Sequence, residues 1–132
     1  MIARVHSESV RKLALMVALL ATFAAVAATA ASAAKIPPFP KIPGNWSHAE
    51  INVTINGTPH TLILDRGRIA QLSATQLTLL ERTGDRVVVP LNPQAIVRIY
   101  DYPATIYMLR RGMNTMTMRI DGGPAVRIRV VR

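Results

Sequence analysis

Few side chains in this sequence have both the type and the spacing that chemistry needs. His48-Ala49-Glu50 sets an imidazole and a carboxylate two residues apart, on one face of any strand they occupy. That is the opening of a zinc-deaminase pattern, but the chain has no cysteine to complete it. A metal centre would need His60, Asp65 or another carboxylate to converge on the same point. A nucleophile needs a base beside it. Beyond residue 33 the only serines are Ser47 and Ser73 and the only histidines His48 and His60, and neither serine sits in a glycine-flanked elbow. Threonines fall at strand-like positions, where β-branching accounts for them. Of the carboxylates, Asp85 and Asp121 lie in turn sequences and are expected to cap backbone amides. Asp65 precedes Arg66 and Arg68, which ion pairing explains. A glycosidase pair among the carboxylates Glu50, Asp65, Glu81, Asp85, Asp101 and Asp121 would need a sugar cleft, for which a small closed barrel has little room. The reading is of no catalytic residue, no cofactor and no metal.

The arginines hold more promise. The chain carries a net charge of +9. Arg4, Arg11 and Lys12 against Glu8 account for +2 of this in the first 33 residues, which leaves +7 for the rest. Such an excess draws polyanions at low salt. Arg119, Arg127 and Arg129 are expected on the outer face of the last hairpin, with Arg110 and Arg111 near its ends. A row of guanidinium groups suits phosphate or carboxylate polymers, because each can bind two oxygens at once. The competing expectation sets Thr115 and Thr117 opposite those arginines and makes the face merely solvated. Tyr100, Tyr102 and Tyr107 either join such a surface, as in oligonucleotide-binding barrels, or plug a barrel end.

The elements that position these residues begin after an address. Residues 1–33 have the three parts of a secretory signal peptide: a basic stretch ending in Arg11-Lys12, an apolar run from Leu13 to Val26, and Ala31-Ser32-Ala33 at the cleavage site. The expected product is an exported protein, periplasmic, cell-surface or secreted, that meets a membrane only transiently. The uncharged run is also about long enough for an uncleaved anchor. Residues 34–47 read as a proline-rich linker, a semi-rigid spacer in extended conformation. Residues 48–132 read as one domain. Ile51, Val53 and Ile55 alternate with polar residues up to Asn56-Gly57, a tight-hairpin dipeptide. A break at Gly67, a hairpin around Thr83-Gly84-Asp85, strand ends at Pro90 and Pro93, and a last hairpin around Asp121-Gly122-Gly123-Pro124 give seven or eight short strands. Ala104 to Arg111 reads as one short helical turn stopped by Gly112. The fold class is all-β, a small antiparallel β-barrel, with a sandwich as second choice. Without disulfides, the hydrophobic core alone must hold it.

Leu64-Asp65-Arg66-Gly67-Arg68-Ile69-Ala70-Gln71-Leu72, the hairpin flanks Leu77 to Gly84 and Val87 to Leu91, Leu109-Arg110-Arg111-Gly112-Met113 and Gly122-Gly123-Pro124-Ala125 together resemble a family of secreted bacterial small β-barrel domains of unknown function. The resemblance spans roughly residues 62–131 and departs from the family at Gly84-Asp85, where the order Asp-Gly would be expected. It implies an exported accessory domain and no catalytic residues. The functional expectation is therefore a non-enzymatic accessory or binding domain of the envelope or extracellular space. Its partner would be an acidic cell-envelope polymer or an envelope protein, held by the arginine-bearing hairpin, with export weighing against nucleic acid. The alternatives are a purely structural knob on a spacer and, last, a small hydrolase.

Overall fold

The computed structural model describes residues 36–132; the export signal read at residues 1–33 lies outside them. The described chain is all-β, with seven strands and one 3-10 turn. β1 (His48–Ile55) and β2 (Thr58–Leu72) form a hairpin through Asn56 and Gly57, both in the left-handed region at φ 51 and 77. That is the backbone an Asn-Gly dipeptide adopts with least strain. β3 (Gln76–Leu80), β4 (Arg86–Ile99), the short β5 (Tyr102–Ala104), the turn η1 (Ile106–Met108), β6 (Asn114–Ile120) and β7 (Ala125–Val131) follow.

Five strands close on themselves in the order β2-β3-β4-β7-β6, with β6 pairing back to β2. The result is a small barrel with β1 attached beside the first half of β2. Every pair is antiparallel except β4–β7, which run in parallel. The path through β5, η1 and β6 brings the chain back beside β4 in the same sense. A five-stranded barrel with this non-sequential winding shares its architecture with the barrels that bind oligonucleotides and oligosaccharides. Architecture alone assigns no function.

The barrel interior holds Ile69, Leu77, Leu79, Val89, Leu91, Val97, Ile128 and Val130, with Ile106 and Leu109 from the segment around η1. Each such side chain stabilises the fold by roughly 1.5–3 kcal/mol when buried. Ile106 and Leu109 belong to this core, whereas Tyr102 and Tyr107 are exposed. These two tyrosines do not plug a barrel end.

Three sequence expectations shift. Gly67 does not end a strand; β2 runs through it for 15 residues, with a bulge between Ile69 and Gln71. Pro90 and Pro93 do not close a unit either. β4 continues through both, because Pro90 lies opposite the first residue of β3 and Pro93 lies where the β4–β7 ladder skips between Leu91 and Ile96. Finally, the proline-rich stretch is no free spacer, since the compact unit begins at Pro37. Pro37, Phe39, Pro40 and Ile42 are half-buried. The reason lies on the outer face of the sheet. Leu62 and Leu64 of β2 and Met118 of β6 are almost wholly buried there, on the side away from the barrel interior. Arg127 sits opposite Met118 on that face and donates from Nε to the Pro37 carbonyl at 2.5 Å. That bond ties the proline stretch to the outer face of β7.

Candidate anion-binding groove

Register fixes where the expected arginines go. Thr117 pairs with Ile128 and Thr115 with Val130, so both threonines point into the barrel and are fully buried. Met116 and Met118, not the threonines, stand opposite Arg129 and Arg127 on the outer face. Arg119 leaves that group. It shares the face of Thr117, and the bulge between Met118 and Arg119 sets it opposite Ala125. From there its guanidinium donates to the carbonyls of Gly122 and Gly123, at 2.6 and 2.8 Å, and locks the hairpin turn. Arg110 is likewise spent locally, on the carbonyls of Tyr107 and Leu109. Arg111 is exposed in the loop before β6. Of the five expected residues, only Arg127 and Arg129 share a surface.

A different set converges at the β1 end of the barrel. Gly67 packs so closely on β3 that an added Cβ would sit 2.6 Å from the Leu80 carbonyl oxygen. Beside this contact opens a groove of about 430 Å³. Its walls carry Arg66 and Arg68 from β2, Arg82 from the loop after β3, and Arg132 after β7. Trp46 closes one side, with the Arg66 guanidinium 5.6 Å from its ring centroid, within cation–π range. The Arg66 amide also donates to the Ser47 carbonyl at 2.8 Å, which ties the Trp46 segment to β2. Arg68 and Arg82 are exposed. No sequence signal marked this site, because its residues are scattered from 46 to 132 and only barrel closure gathers them. The lone tryptophan ahead of the first strand was the one legible hint.

Glu81 is the single acid in the groove wall. Its side chain is buried, and one carboxyl oxygen, Oε1, has no partner. Burial foremost, then the nearby Asp65 and Asp85 charges, raises its pKa above the usual carboxylate value. Burial and neighbouring negative charge both favour the neutral acid over the carboxylate.

Behind the groove, Asp65 is 1% exposed. It does not pair with Arg66 or Arg68. It is bonded by His48 Nδ1 at 2.7 Å, because His48 and Asp65 are cross-strand partners on the inner face whereas Arg66 points outward. His48 Nε2 lies 3.3 Å from Glu50, as expected for residues sharing a strand face. The hydrogen bond to Asp65 is the main cause of the raised His48 pKa. An imidazole held by a carboxylate is half of a general-base device. Its ring nitrogens, however, contact only Asp65 and Glu50 among the described residues. Thr117 Oγ1 is sealed from solvent and unbonded. Among the described residues, no three His, Cys, Asp or Glu side chains are grouped to hold a metal ion.

At the far hairpin ends, Asp121 accepts the Thr61 amide at 2.8 Å and a 2.5 Å contact from His60. Asp121 thus caps a backbone amide as its turn position suggests, and the Thr61 bond is the main cause of its lowered pKa. Asp85 instead accepts the Thr83 hydroxyl at 2.9 Å.

No protein-family model matches the chain, and no curated protein or solved structure is significantly similar to it.

Proposed function

We propose that this chain is an exported, non-enzymatic binding domain of the bacterial envelope or extracellular space, and that it holds an acidic polymer or an acidic partner protein. The observation behind this reading is the gathering of Arg66, Arg68, Arg82 and Arg132 around Trp46, with the buried Glu81 the single acid in the wall. Like charges so grouped oppose folding unless an anion joins them. Guanidinium forks match carboxylate and phosphate oxygens two at a time. The binding residues are then those of the barrel-end groove. Arg110 and Arg119 take a structural part, since they are bonded to carbonyls of their own turns. Export rests on the signal pattern of residues 1–33 and on the family resemblance.

The alternative of a rigid knob on a proline spacer is less well supported, because the prolines from Pro37 onward belong to the compact unit. The test is retention of the full chain on acidic and neutral polymers at low and physiological salt. Retention on an acidic polymer is expected to survive physiological salt. It should be lost with Arg68→Glu plus Arg82→Glu and kept with Arg111→Glu. Weak, uniform retention on every polyanion that vanishes with added salt would mean generic charge and would remove the reading.

A further inference from the structure

The groove is one part of a longer track. A second depression, about 320 Å³, is lined by Tyr100, Asp101, Arg129 and Arg132 and shares Val131 and Arg132 with the groove. A third, about 270 Å³, is lined by Phe39, Arg98, Arg127 and Arg129 and shares Asp101 and Arg129 with the second. The three therefore abut in sequence from the barrel end onto the outer faces of β7 and β4. Each contains one aromatic ring, Trp46, Tyr100 or Phe39, and at least two guanidinium groups. The first two rings are braced in the same way, Arg66 lying over Trp46 and Arg132 lying 5.1 Å from the Tyr100 centroid.

We infer that this track binds an extended carboxylated polysaccharide, one sugar stretch after another, a proposal that rests on the anion-binding reading of the groove. The repeat of ring and guanidinium decides the chemistry. Arginine forks take carboxylates in pairs of hydrogen bonds, and a ring with one face against a guanidinium offers its other face or edge to the apolar side of a sugar. Single-stranded nucleic acid asks for another layout, with successive bases stacked on neighbouring rings. Here each ring lines a separate depression beside two or more guanidinium groups. The two most exposed tyrosines, Tyr102 and Tyr107 at 74% and 71%, line none of the three. Asp101 sits at the junction of the second and third depressions, where it holds Arg129 at 3.0 Å in an exposed ion pair. Such pairs are weak, so an incoming carboxylate can take its place.

A ligand that spans abutting subsites gains affinity with length, because each further contact forms within an already bound complex. The experiment uses the full chain and measures binding of a galacturonate disaccharide, a galacturonate oligomer of about ten sugars and an oligothymidylate of matched charge, at about 0.15 M salt. The long oligomer is expected to bind about tenfold or more tighter than the disaccharide. Arg98→Glu with Arg129→Glu should erase that advantage and leave disaccharide binding intact. Arg68→Glu with Arg82→Glu should weaken both ligands. If the disaccharide binds but length adds nothing to the unaltered protein, the track is wrong and the groove reading stands. If neither galacturonate binds and the oligothymidylate does not either, both fall. If the oligothymidylate binds more tightly than the long galacturonate, the polymer class is overturned.

Discussion

A Cβ built on Gly67 would meet the Leu80 carbonyl oxygen at 2.6 Å and the carbonyl carbon at 2.9 Å. Both are backbone atoms of the neighbouring strand, so no side-chain rotation can relieve the clash. β2 and β3 would have to part where the groove floor lies, since Gly67 and Leu80 both line it. Gly67→Ala is expected to destabilise the fold by about 1–3 kcal/mol, in the range of overpacked interiors. In a domain of this size that is a fall of several degrees in thermal midpoint for each kcal/mol. A midpoint unchanged by the substitution would mean that the two strands do not pack so closely.

The acid cluster gives stability a pH slope of definite sign. His48 and Glu81 both have raised pKa values in the fold, so the folded protein holds these protons more tightly than the unfolded chain. The Glu81 contribution is complete below its ordinary value of 4.5 and is lost as pH rises through the folded value. The His48 contribution is complete below 6.5 and is lost above it in the same way. Thermal midpoints are therefore expected to be higher near about pH 5 than near about pH 8.5. Glu81→Gln removes the ionisable group whose Oε1 has no partner and should stabilise the protein at the alkaline end by about 1 kcal/mol. The gain should shrink in acid, where Glu81 is already neutral. A gain of equal size at both ends would assign the effect to packing rather than to charge.

Asp121 acts in the opposite direction. Its pKa is lowered, chiefly by the Thr61 amide and then by His60, so its contribution is present above 3.8 and is lost as pH falls through the folded value. It also adopts a left-handed backbone at φ 51, which asparagine tolerates and alanine does not. Asp121→Ala should lower the thermal midpoint by a few degrees, and Asp121→Asn by less, because the amide keeps an oxygen for the Thr61 donor. Equal losses for both variants would show that the charge, not the turn, decides.

How much of this was legible in sequence depends on whether the signal was local. The Asn56-Gly57 turn, the alternation of β1 and the last hairpin follow from residues next to one another, and the structure has them all. The helical turn expected from Ala104 to Arg111 is confined to Ile106–Met108 and ends before Gly112, because Ala104 pairs with Val97 as part of β5. Long strands were cut short, because Gly67, Pro90 and Pro93 read as breaks. In the fold, Gly67 serves a close approach, and the prolines occupy positions where the ladder does not need their missing donor. Arg119 keeps the face of Thr117, as alternation requires, but the β6–β7 register turns that face inward, and no local pattern fixes the register. The groove was illegible for a different reason. Trp46, Arg66, Arg82 and Arg132 come together only through closure of β2 on β6 and the return of β7 beside β4.

The β4–β5 turn offers the most discriminating substitution. Tyr100 and Asp101 both adopt left-handed backbones, at φ 51 and 69, where glycine is at ease and other residues are strained. Asp101→Gly relieves that strain at one position and removes the exposed Asp101–Arg129 ion pair. Each effect is worth up to about 1 kcal/mol, and the two have opposite signs. Arg98 keeps its bond, because it donates to the Asp101 backbone carbonyl, at 2.6 Å. Thermal stability should therefore change by less than about 1 kcal/mol. Arg129, released from its carboxylate, becomes available to an anion along the track. Retention of the full chain on a long galacturonate should strengthen, with disaccharide binding unaltered. Weaker retention of the long chain would mean that Asp101 orients Arg129 toward the ligand rather than competing for it.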